Sequence, residues 1–142
     1  MLDYLMYDAD NHLYEGRDAF TRHLPADRSR DVYWITDERG RQHVVVGGKV
    51  WDFIPNPTFD PVAVAGALDR RKVEPLADHP EYQDRDARLA TFDSQGIEAS
   101  LMFPTMASGL EEVVGDDIEF HRTILWAYNR WLEEEWGFAY HA

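Results

Sequence analysis

The sequence predicts an α/β fold, and three observations carry that expectation. Short apolar runs at residues 4–10 and 97–104 read as single strands. Residues 80–95 and 116–136 carry apolar side chains at spacings of three and four, the signature of a helix face. Single strands alternating with amphipathic helices mark parallel α/β architecture. The expected order is strand, long insertion containing a β-hairpin, helix, strand, helix.

The first strand is expected at residues 4–10, and residues 14–23 read as a short helix or irregular segment with Phe20 and Leu24 on its apolar side. The hairpin is expected over residues 32–46. Val32–Ile35 and His43–Val46 are β-branched and aromatic, and Asp37, Glu38, Arg39 and Gly40 supply turn chemistry between them. Three prolines in residues 55–61 make that stretch a loop. Pro80 opens the next helix and Gly96 is placed to stop it. Tyr82, Arg85, Leu89 and Phe92 are expected on its inner face, with Asp84 and Arg88 paired outside. Asp116 with Glu119 reads as the capping box of the last helix. Its apolar stripe is expected to be Ile118, His121, Ile124, Leu125, Tyr128, Trp131, Leu132 and Trp136, packed on the outer face of the parallel sheet. The chain divides as a single partial domain over 1–142: first strand and site motif at 1–13, insertion at 14–79, helix–strand–helix at 80–142.

The 142 residues include 27 acids against 14 bases, a formal net charge of −13. That excess disfavours nucleic acid and anionic membrane surfaces as partners, since both require a basic face. No apolar run approaches the roughly 20 residues of a membrane span, and the first residues lack the basic-then-apolar order of a signal peptide. With no cysteine there is neither a disulfide framework nor a thiolate metal site. These features predict a cytoplasmic protein.

One short stretch carries chemistry. Asp8, Asp10 and His12 alternate as the first strand ends, so in an extended chain they share a face. Carboxylate plus imidazole at i and i+2 can reach one divalent ion, and that donor set suits Zn, Mn or Fe. A solvated strand end with a packed histidine accounts for the same residues on spacing alone. His23, His43, His79 and His121 show no metal-binding spacing, and no serine or cysteine nucleophile motif is present.

The stretches YDADNHLYEGRDAFTRHLP (7–25), YQDRDARLATFDSQGIEASLMFPT (82–105) and AYNRWLEEEWG (127–137) resemble the N-terminal part of the amidohydrolase-related family. The resemblance runs over nearly the whole chain. These are metal-dependent (β/α)8-barrel hydrolases and aromatic-acid decarboxylases, whose opening strand carries an Asp-x-His-x-His string. Asp8 matches the leading Asp, Asp10 takes the place of the first His, and His12 matches the second. The substitution tilts the implied chemistry toward the decarboxylase and lyase-like branches.

The resemblance therefore implies the first two β/α units of a TIM-type barrel, with an inserted hairpin. It also implies a divalent metal, zinc first with Mn or Fe as alternatives, held through Asp10 and His12, with Asp8 as a supporting carboxylate. Catalytic and substrate-binding residues are not identified. A full barrel takes about 250 residues, and a catalytic zinc normally has three protein ligands. The chain alone is thus expected to be inactive, the first portion of an enzyme for a small-molecule substrate: a truncated gene product, an incomplete reading frame, or a subunit that needs its complement, with a homo-oligomer or a complementing chain as its partner. The competing expectation is a non-catalytic oligomer or interaction protein derived from the barrel, which associates through Trp126, Trp131 and Trp136.

Overall fold

The computed structural model describes residues 4–54 and 76–139. Its strands are β1 (Met6–Leu13), β2 (Val32–Thr36), β3 (Gln42–Val46), β4 (Lys49–Trp51) and β5 (Ile97–Pro104). Its helices are α1 (Arg85–Gln95), α2 (Leu110–Val114) and α3 (Ile118–Glu135). The expected proline-rich loop at 55–61 lies outside the described residues.

β1 and β5 pair in parallel, and β2, β3 and β4 form a separate antiparallel sheet. The hairpin turn is built by Asp37, whose carboxylate accepts from the backbone N–H groups of Arg39 and Arg41, both at 2.9 Å. The expectation stopped at two strands. The third exists because Gly47 and Gly48 adopt φ of 57° and 79°, left-handed values that a two-residue hairpin turn requires and glycine supplies without steric cost.

α1 begins later than expected. Pro80–Tyr82 forms a 3-10 turn, and the helix starts at Asp84, whose side chain accepts from Ala87 N. The expected Asp84–Arg88 surface pair does not form, because the Arg88 guanidinium donates to Asn11, His12 and Glu81. Arg88 is buried instead, on the same face as Phe92. Gly96 closes the helix with φ 74°, the left-handed stop its position implied.

The last helix is capped by Asp117, which accepts from Phe120 N, and not by Asp116. The cap differs by one residue, yet most of the expected stripe stays inward, with Trp136 buried and Leu125 and Leu132 packed partly buried against the core. Phe120, Ile124, Ala127, Tyr128 and Trp131 are buried, whereas Ile118 is 80% exposed. α2 was not foreseen.

α3 joins a different core from the one expected. One apolar cluster contains Phe20, Val32, Val44, Val46 and Trp51 with Leu110, Val113, Phe120, Ile124, Tyr128 and Trp131. Phe20 stacks on Tyr128 at 5.2 Å and meets Trp51 edge-on at 5.2 Å. The helix thus packs with the inserted sheet, and the parallel pair reaches this core near its C-terminal end, through Leu13 and Met102. On β3 the alternating residues Val44 and Val46 share the face that joins this cluster. Trp131 and Trp136 are consumed by this core, and of the three tryptophans expected at an interface only Trp126 is exposed. No helix among the described residues is long and apolar enough to cross a membrane.

Candidate metal centre

β1 runs beyond the expected Asp10 to Leu13, so the whole Asp8–His12 motif lies within the strand. Its register against β5 slips in the middle of that motif. Asp8 pairs with Ser100 and Asn11 with Met102, so three steps on β1 face two on β5. Such an extra residue is a β-bulge, which breaks strict alternation and re-aims side chains. The expected face of three is accordingly split. Asp8 falls on the side of Asn11, whose amide donates to Asp8 Oδ2 at 2.7 Å. Asp10 and His12 come together, Oδ1 to Nε2 at 3.5 Å.

His12 is oriented from behind. Its Nδ1 lies 3.0 Å from the carbonyl oxygen of Pro104, at the end of β5. A carbonyl only accepts, so Nδ1 carries the proton and the Nε2 of the neutral ring presents its lone pair toward Asp10. Metal-binding histidines are commonly fixed this way through their other nitrogen. The ring also tilts against Phe103 at 6.1 Å. Two donors each ~2.1 Å from a tetrahedral ion stand about 3.4 Å apart, so the observed 3.5 Å fits a shared divalent ion. The Asp10 and His12 side chains are 85% and 46% exposed.

Three residues that the sequence reading passed over hold this strand end. Arg88 donates from Nη1 to Asn11 Oδ1 at 2.9 Å, from Nη2 to the His12 carbonyl at 3.0 Å, and from Nε to the Glu81 carbonyl at 2.6 Å. Burial pulls the Arg88 guanidinium below its usual pKa, with Glu81 opposing. Asn11 is the second. The third is Glu15, buried, whose two carboxylate oxygens accept from Met106 N and Ala107 N at 2.9 Å each. Burial raises the Glu15 pKa, and those N–H groups offset only part of the rise. Asp8 is held below the ordinary carboxylate value, first by the Asn11 amide and then by the backbone N–H of Asp10. Arg88 had a visible signal, its i,i+4 spacing to Phe92 on the inward stripe. Glu15 had none, because its partners lie 91 and 92 positions away.

The remaining histidines among the described residues are engaged elsewhere or buried. His23 bonds Glu134, His43 bonds Asp37 and His79 bonds Glu81. The buried Nε2 of His121 finds no partner among the described residues. No group of three His, Asp or Glu able to hold a metal ion occurs among the described residues.

A crystal structure of an amidohydrolase from Mycobacterium avium subsp. paratuberculosis K-10 matches this chain with a TM-score of 0.85 and 44% sequence identity, over 99% of its length. The chain is related to amidohydrolases. It spans about 40% of that relative's length. A comparison with protein-family models gives no match, and neither does one with curated proteins. The amidohydrolase relationship joins both halves of the structure, since the match runs through the inserted antiparallel sheet as well as the parallel pair.

Proposed function

We propose that this chain is a portion of a metal-dependent amidohydrolase-type enzyme, a hydrolase or an aromatic-carboxylate decarboxylase. It supplies the first two β/α units of an incomplete TIM-type barrel, and Asp10 and His12 are two of the ligands to its divalent metal. The observation that supports this reading is the 3.5 Å approach of Asp10 Oδ1 to His12 Nε2, with His12 Nδ1 bound to Pro104 O. The pair sits toward the C-terminal ends of parallel strands, where barrel enzymes keep their chemistry. Zinc is the first choice for this donor set, with Mn or Fe as alternatives. A bound ion there would activate a water or polarise a substrate carboxylate. Asp10 contributes charge, and His12 a lone pair aimed by the Pro104 carbonyl.

Two protein ligands leave such an ion mostly hydrated, so the chain alone should bind it weakly and turn nothing over. Calorimetric titration with Zn²⁺ should show weak binding, lost in Asp10→Ala and in His12→Ala. Stoichiometric, tightly held zinc would overturn the claim that the ligand set is incomplete. Binding indifferent to both substitutions would overturn the assignment of the pair.

The second reading is association, and the exposure of one sheet face favours it. Tyr7 is 69%, Leu101 62% and Phe103 43% exposed, an apolar surface of the kind that seeks a partner. We read this face as the place for a complementing chain or a second copy; analytical ultracentrifugation showing a strict monomer at high concentration would count against it.

A further inference from the structure

We infer that Asp8, Asn11 and Arg88 form a positioning network that sets the bulge in β1 and thereby brings Asp10 and His12 to one point. This inference rests on the metal reading above and extends it to residues that do not touch the ion.

The network can be followed bond by bond. Arg88 enters from α1 and holds two consecutive residues of β1, through the Asn11 side chain and the His12 carbonyl. Asn11 passes the connection on, its amide donating to Asp8 Oδ2. Asp8 completes it, because Oδ1 accepts from the backbone N–H of Asp10 at 3.0 Å. The chain Arg88–Asn11–Asp8–Asp10 thus closes around the two-for-one step in the register. Without the bulge, Asp8 would share a face with Asp10 and His12 by simple alternation. With it, Asp8 turns to the side of α1 and serves the backbone. Arg88 is sandwiched with Tyr82 at 5.4 Å and Phe92 at 5.8 Å, so its guanidinium has little freedom to release the strand. Residues that orient ligands in this manner usually alter metal affinity by about 10- to 100-fold when removed.

The polarity of the Asp8–Asn11 bond offers a specific test. Asp8→Asn alone sets two amides against each other, and Asn11→Asp alone sets two carboxylates against each other. The double exchange, Asp8→Asn with Asn11→Asp, restores the same bond with donor and acceptor reversed. It keeps an oxygen for Asp10 N and one for Arg88.

The experiment uses ¹⁵N-labelled full-length chain, first without metal and then with Mn²⁺. Without metal, long-range ¹H–¹⁵N spectra should show His12 as the Nδ1–H tautomer in the parent, a tautomer mixture in each single variant, and the parent state again in the double exchange. With Mn²⁺, paramagnetic broadening at His12 should require about tenfold more metal in the single variants, and the parent concentration in the double. Asp10→Ala serves as the control for the metal reading. Single variants that keep both the parent tautomer and the parent Mn²⁺ response overturn the network while leaving the metal reading intact. Mn²⁺ broadening that survives Asp10→Ala overturns the metal reading, and the tautomer data then judge the network by themselves. A single variant that loses its native spectrum throughout, together with a double that does not recover it, also overturns the network, because the reversed bond should suffice.

Discussion

The two sheets of this molecule are built from similar residues and end in opposite conditions. β3 buries Val44, Val45 and Val46 at 1%, 4% and 0% exposure, and Trp51 of β4 is equally enclosed. β1 and β5 leave Tyr7, Leu101 and Phe103 open. Strand composition is therefore not what decides burial here; the partner layer is. α2, α3 and the segment around Phe20 close over the inserted sheet, while the parallel pair is backed by α1 and, among the described residues, has no layer packed on its other face. The insertion is the better-packed half, and the candidate metal pair sits on the open half, steadied by contacts that cross between elements.

The sharpest way to break this comparison is to cut into the closed half. Phe20 is 3% exposed between Trp51 and Tyr128. Phe20→Ala should cost about 3–5 kcal/mol, read from urea unfolding followed by far-UV circular dichroism. A loss below about 1 kcal/mol would place the stability elsewhere.

The next test acts where the halves join. Glu15→Ala leaves the N–H groups of Met106 and Ala107 without their acceptor, and should cost about 1–3 kcal/mol. Glu15→Gln tests the charge. Burial raises the folded pKa above the ordinary 4.5, so in the window just above 4.5 the folded chain holds more proton than the unfolded one. The contribution of Glu15 to stability then falls as pH rises from 4.5 through the folded value, and is level above it. Melting temperatures across that range should show this decline in the parent and not in Glu15→Gln. A parallel decline in both would assign it to another group.

The smallest effect is expected on the open face. Leu101→Thr replaces a 62% exposed side chain on a strand and should change stability by no more than about 0.5 kcal/mol. Light scattering should register less self-association. A loss above about 2 kcal/mol would mean that a second copy covers this face during the measurement.

How much of this was legible in the sequence follows from the range of the interactions. The hairpin turn at Asp37–Gly40 and the helix stop at Gly96 depend on neighbouring residues, and their signals sit in the string itself. The approach of Asp10 to His12 was legible as an i,i+2 spacing, although Asp8 left the set because a bulge is a feature of pairing, invisible in one strand alone. Arg88 was misplaced on the surface because charge was taken as exposure; three carbonyl-type acceptors and two aromatic rings make its burial tolerable. The destination of α3 was misjudged for a related reason. Its stripe announces that a core exists, not which of two sheets provides it.

The bond from His12 to the Pro104 carbonyl joins residues 92 positions apart, whereas the β2–β3 turn closes between Thr36 and Gln42. By loop-closure entropy alone the longer connection costs roughly 2 kcal/mol more to draw shut, and hairpins form within about 1–10 μs. We expect pulse-labelled hydrogen exchange to find β3 amides protected before those of β5; the reverse order would refute this. The orientation of His12 is then expected late in folding: the hairpin strands pair before the ends of β1 and β5 that orient the ring come together.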